Sequence, residues 1–101
     1  FTAPVTGIYQ LNACVYITNI TIGTTFLLLI NTSNGIYQKR IDVTAGTVDT
    51  LTLDLSVLAD MDAADTVNVH IDNSGEAGDT QDIFGGNAAT IATSFSGSLI
   101  N

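Results

Sequence analysis

From Gly7 to Tyr16 the side chains alternate with a period of two. Tyr9, Leu11, Ala13 and Val15 fall on one side; Ile8, Gln10, Asn12, Cys14 and Tyr16 fall on the other. Successive side chains point to opposite faces only when the backbone is extended, so this stretch is a β-strand with two distinct surfaces. The first surface is apolar and suits a core. The second carries no charge and mixes aliphatic, amide, thiol and phenol groups, which suits a protein neighbour better than water. Pro4, the chain's one proline, has no N–H to give a ladder and holds Ala3 extended. It therefore marks the entrance to this strand, with a turn at Gly7.

The rest of the chain repeats the extended pattern. Thr18 to Thr24 reads as a connection turning at Gly23. Thr25 to Asn31 (TFLLLIN) is an apolar run of the length of a strand covered on both faces. Asn34-Gly35 tolerates positive φ at both positions and predicts a two-residue hairpin, pairing Thr25–Ser33 antiparallel with Ile36–Val43. Lys39 and Arg40 are the only basic side chains, and both fall on the second strand of that hairpin, where they mark a solvated edge. After a turn at Ala45-Gly46, Thr47 to Val57 alternates, with Leu51, Leu53, Leu55 and Val57 inward and Thr50, Thr52, Asp54 and Ser56 outward. Asp60, Asp62 and Asp65 read as turn formers through their side-chain acceptors. Thr66 to Ile71 predicts a strand with Val67, Val69 and Ile71 inward, and Thr90 to Ile100 a closing strand. Between them, Asp72 to Asn87 is polar, glycine-rich and long for a hairpin loop, a kind of segment that often carries function. No segment requires a helix. Short strands with turn signals every ~8–12 residues describe an all-β antiparallel sandwich or jelly roll, and 101 residues make one domain.

Charge narrows the partners. Ten acidic and two basic residues give a net charge of −8, whereas nucleic acid and anionic membrane surfaces are bound by clustered Lys and Arg. No apolar run reaches membrane-spanning length, the longest being Phe26 to Ile30. Hydrophobic residues at 46% against 12% charged describe a folded core rather than an acidic tail. Cys14 stands alone, so no disulfide closes within the chain, and a rigid strand context makes it a packed residue rather than a nucleophile. No catalytic His–Asp arrangement follows from the spacing, and nothing raises one carboxyl pKa selectively. The expectation is a protein that is not an enzyme.

Phe1, Pro4, Gly7, Ile8 and Tyr9 together resemble the F-x-x-P-x-x-G-[IL]-Y pattern of C1q/TNF-like jelly-roll domains. Later segments are similar in order and spacing. Met61 leads into Ala64-Asp65-Thr66-Val67, where the family has Gly-Asp-x-Val. Phe95, Gly97 and Leu99 match the closing F-x-G-x-L strand, and the chain ends soon after, at Asn101. The resemblance implies an antiparallel jelly-roll β-sandwich assembled as a compact homotrimer, with one sheet of each subunit packed around a threefold axis. Transferred by motif alignment, it directs Ile8, Gln10, Asn12 and Cys14 toward the axis, with Thr66, Asn68 and His70 from a second strand and Phe95, Gly97 and Leu99 from the last. His70 is then a hydrogen-bonded interface side chain; the sharper alternative is three imidazoles around the axis, binding an ion or sensing pH. Family members carry further strands before the F-x-x-P pattern, so the resemblance implies for residues 1–101 a single C1q/TNF-like domain lacking its usual N-terminal strands, either because the sequence is a piece of a longer one or because those strands come from elsewhere. Unpaired sheet edges accept a strand from a neighbour.

The long loop is the expected recognition surface: Ser74, Glu76, Asp79, Gln81 and Asp82, with Phe84 either an aromatic anchor or a plug beneath the loop. Asp72, Glu76, Asp79 and Asp82 offer oxygen donors of the kind Ca²⁺ takes, at a spacing unlike that of calcium loops, so solvated loop charge is the primary reading and no cofactor is expected. Asn19-Ile20-Thr21 and Asn31-Thr32-Ser33 are glycosylation sequons, meaningful only in a eukaryotic secretory setting. The functional expectation is a non-enzymatic, self-assembling trimeric head of a fibre, displayed outside a cell or on a virion and presenting loops to a host receptor or glycan. The alternatives are a filament subunit completed by donated β-strands and a secreted C1q-like ligand or lectin.

Overall fold

The computed structural model describes residues 1–20, 23–43, 50–74, 82–87 and 89–101, and these form strands and turns with no helix. The strands are β1 (Gly7–Thr18), β2 (Thr25–Thr32), β3 (Gly35–Asp42), β4 (Thr50–Met61), β5 (Val67–Ser74), β6 (Asp82–Ile83), β7 (Gly86–Asn87), β8 (Thr90–Ile91) and β9 (Ser94–Leu99). In the first sheet β1 pairs antiparallel with β4 along its whole length, from Gly7↔Met61 to Thr18↔Thr50. The opposite edge of β1 is shared: β9 takes Tyr9–Cys14 and β6 takes Ile17–Thr18. The second sheet has the order β3-β2-β5, and β7-β8 is a small separate hairpin. The all-β antiparallel sandwich expected from the sequence is the fold.

One core lies between the sheets. Tyr9, Leu11, Ala13, Val15 and Ile17 enter it from β1, and Phe26, Leu28 and Ile30 from β2. Leu53, Ala59 and Met61 come from β4 and Val67 from β5. Each fully buried aliphatic or aromatic side chain contributes about 1.5–3 kcal/mol through removal of apolar surface from water. The expected β2 strand covered on both faces is corrected: its burial alternates, and Leu27 and Leu29 are half-buried. They lie on the outer face, flanked by β3 and β5, and among the described residues no third layer caps them.

Other expectations shift in detail. The hairpin loop is Ser33-Asn34, with Thr32 opposite Gly35, and neither Asn34 nor Gly35 has positive φ. The Thr32 hydroxyl decides this, accepting from the Asn34 and Gly35 amides at 3.2 and 3.0 Å. Gly7 does not make a turn; a Cβ there would meet the Asn101 carbonyl oxygen at 2.5 Å, so its role is close approach of the chain's end. The Thr90–Ile100 strand is broken into β8 and β9, because Thr93 turns inward and its hydroxyl bridges the Tyr16 amide and the Phe84 carbonyl. The Ala45-Gly46 turn and residues 47–49 lie outside the described residues.

Candidate functional site

The F-x-x-P-x-x-G-[IL]-Y residues build an anchor where the two sheets meet. Phe1 packs edge-on against Tyr9, ring centres 5.7 Å apart. Buried Tyr9 donates its hydroxyl to the Val5 carbonyl at 2.7 Å. Phe1 also exchanges backbone hydrogen bonds with Val67, and Ala3 with the Ala64–Asp65 turn, so the arm lies along the start of β5. Of these motif residues Phe1, Gly7 and Tyr9 shape the fold, whereas Ile8 stands on the outer face of β1.

The outer face of β4-β1-β9 carries the even-numbered side chains of β1. Gln10 and Asn12 are half-buried, and Asn12 Oδ1 accepts from Gln10 Nε2 at 3.2 Å and Ser56 Oγ at 2.7 Å. Cys14 Sγ lies 3.9 Å from the Ala92 carbonyl, and Tyr16 meets Phe84 edge-on at 5.8 Å. Leu58, opposite Gln10, is 57% exposed, and Ser94, Ser96 and Ser98 line the other flank. The acids of this face, Asp54 and Asp60, stand on β4, beside Cys14 and Ile8. Its centre is an uncharged strip of fixed amides and serines with apolar side chains at intervals.

The ten residues expected to share one axial face occupy three surfaces. Ile8, Gln10, Asn12 and Cys14 are on this outer face. Asn68 and His70 stand opposite Asn31 and Leu29, on the outer face of the other sheet, with Thr66 just before them in a bridge to Thr2. His70 Nε2 pairs with Asn68 Oδ1 at 2.8 Å. Phe95, Gly97 and Leu99 stand opposite Ala13, Leu11 and Tyr9, so they face the core side. Alternation along a strand tells which residues share a face, but not which sheet the strand joins.

The expected recognition loop is split as well. Glu76, Asp79 and Gln81 lie outside the described residues. Ser74 ends β5 in one sheet, whereas Asp82 belongs to β6 in the other and accepts from Asn19 Nδ2 at 2.6 Å. Phe84 is 43% exposed, with its ring edge-on to that of Tyr16. Of the calcium candidates, Asp72 and Asp82 are likewise on different sheets, and among the described residues no three His, Cys, Asp or Glu side chains gather as ligands.

Two features escaped the sequence reading. Lys39 pairs with Leu28, so it points to the core side of edge strand β3 and reaches Asp54 of β4 at 3.3 Å, closing that side of the sandwich with charge. The opposite side, among the described residues, is open. Every residue of β9 is exposed, including core-facing Phe95 at 36% and Leu99 at 48%. Asn73 Nδ2, on the inward side of β5, is buried and finds no partner among the described residues. The inward Lys39 was legible only once the hairpin register was known.

Compared with known proteins, the chain matches no family model, no curated protein and no solved structure.

Proposed function

We propose that this chain is a non-enzymatic, self-assembling domain of the C1q/TNF-like kind, forming a homotrimer through the outer face of β4-β1-β9. Its role is that of an extracellular or virion-surface head that presents loops to a receptor or glycan. The observation that carries the reading is the strip Ile8, Gln10, Asn12 and Cys14, itself uncharged in a chain of net charge −8, with exposed Leu58 and three serines beside it and Asp54 and Asp60 at its two ends. Interface centres are depleted of charge in this way, with polar groups already hydrogen-bonded. The F-x-x-P-x-x-G-[IL]-Y and F-x-G-x-L motifs supply the family. Asn68 and His70 stand outside the proposed contact. The test is Asn12→Arg, which sets like charges against one another around the axis and removes the acceptor of Gln10 and Ser56. Cross-linking should trap oligomers of the parent and only monomers of the variant; a variant that assembles as well as the parent overturns the reading.

The open side of the sandwich favours a second reading, a subunit completed by a donated β-strand. An uncharged, exposed edge such as β9 pairs readily with an extended segment. Leu99→Lys, an inward charge on that edge, should abolish any growth of large assemblies seen by light scattering while leaving a trimer intact. Growth that persists in this variant removes the donated strand from consideration.

A further inference from the structure

The tip of the β2–β3 hairpin is latched to the turn between β4 and β5. Asn34 Nδ2 donates to the Asp60 carbonyl at 3.1 Å and to Asp65 Oδ2 at 2.9 Å. Beside it, Ser33 exchanges bonds with Thr66: Ser33 N–H donates to the Thr66 carbonyl at 3.1 Å, and Thr66 N–H to Ser33 Oγ at 2.9 Å. Asp65 Oδ2 also accepts from the Asp62 amide at 2.8 Å, and its carbonyl accepts from the Ala3 amide at 2.8 Å. The Asn34 amide thus joins the two sheets near the seat of the N-terminal arm.

We propose that Asn34 is a covalent modification site, a self-deamidation centre that the fold holds closed and that opening of the latch releases. The next residue is glycine, and no atom stands within 4 Å of where its Cβ would be. Gly35 thus brings no side chain of its own to crowd its backbone nitrogen as it approaches the Asn34 side-chain carbonyl carbon. In the reaction that N–C bond forms, the Asn34 Cγ–Nδ2 bond breaks and ammonia leaves, carrying the proton lost by Gly35. Water then opens the five-membered imide at either carbonyl, giving aspartate or isoaspartate; no oxidant or reductant is needed. In the folded chain both reactants are engaged. The Gly35 N–H donates to Thr32 Oγ1 at 3.0 Å and the Asn34 amide is held by Asp60 and Asp65. Reaction therefore waits on local opening, whose free energy sets the rate.

The change is one-way in its consequence. An aspartate at 34 brings a carboxylate to the Asp60 carbonyl and the Asp65 carboxylate, three acceptors with no proton between them, and takes the net charge from −8 to −9. Isoaspartate also adds a methylene to the backbone of a two-residue loop with a fixed register. Either product leaves the latch open, so the site records that the domain has been loosened. This inference does not rest on the proposed assembly.

The experiment incubates the intact chain at mildly alkaline pH, with and without urea, and follows residue 34 by peptide mass mapping. Loss of ammonia at Asn34 should be at least ~10-fold faster in urea, a ratio of about 1.4 kcal/mol in the opening equilibrium. Gly35→Ala should slow the reaction in urea, where folding plays no part, and Thr32→Ala should speed it in buffer. Equal rates in buffer and urea, or an unreactive Asn34 in urea, overturn the proposal.

Discussion

Two residues hold conformations or charges that the fold imposes on them. Ala64 has φ 77°, in the left-handed region that an L side chain resists, and it stands where the resembled family has glycine. The strain is sustained because its amide bonds the Ala3 carbonyl at 2.8 Å and the next amide, of Asp65, bonds the Asp62 carbonyl at 3.0 Å. Ala64→Gly should therefore stabilise the fold by about 1 kcal/mol, read as a higher urea midpoint; an unchanged or lower midpoint counts against strain at this turn. Asp42 differs in kind: the Thr25 hydroxyl at 2.7 Å, then Arg40, hold its carboxyl below the ordinary value of 3.8. The folded state thus favours the carboxylate. Its contribution is complete above the unfolded value and is lost as pH falls through the folded one. The difference in urea midpoint between the parent and Asp42→Asn should shrink as pH is lowered from about 5 to about 3, with exposure keeping it small. The motif residues were legible as a motif, but not their work: the Phe1–Val67 bonds and the near-contact at Gly7 depend on where residues far along the chain arrive.

Strand by strand, the sequence was informative wherever one side of a strand meets the core. The alternation of β1, β4 and β5 placed Tyr9 to Val15, Leu51 to Val57, and Val67, Val69 and Ile71 inward, and the structure agrees. Period two is a property of extended backbone itself. Two things were not legible: the partner of each strand, and the break between β8 and β9, which depends on Thr93 reaching back to Tyr16. Asn68 and His70 were accordingly assigned to the sheet opposite their own. The edges follow the same logic. An inward lysine costs little when it snorkels to Asp54, and the ion pair is too exposed to add much stability. Its role is to make β3 a poor template for a neighbouring strand. Lys39→Leu should leave the unfolding free energy within about 0.5 kcal/mol of the parent while raising concentration-dependent association seen by light scattering. A variant as dispersed as the parent would show that the edge needs no charge.

At the scale of the molecule the sandwich is asymmetric. One side is closed by Lys39 and Asp54, the other exposes core-facing Phe95 and Leu99, and the outer face of β4-β1-β9 presents an uncharged strip in a strongly acidic chain. Self-repulsion at a net charge of −8 opposes association, and on the proposed reading the uncharged strip is where contact costs least. The deciding measurement is absolute mass in dilute buffer, by light scattering after size exclusion. The account predicts a single species at three times the 10.5 kDa of one chain, converted to smaller species by Asn12→Arg. A stable monomer at the same concentration would contradict it.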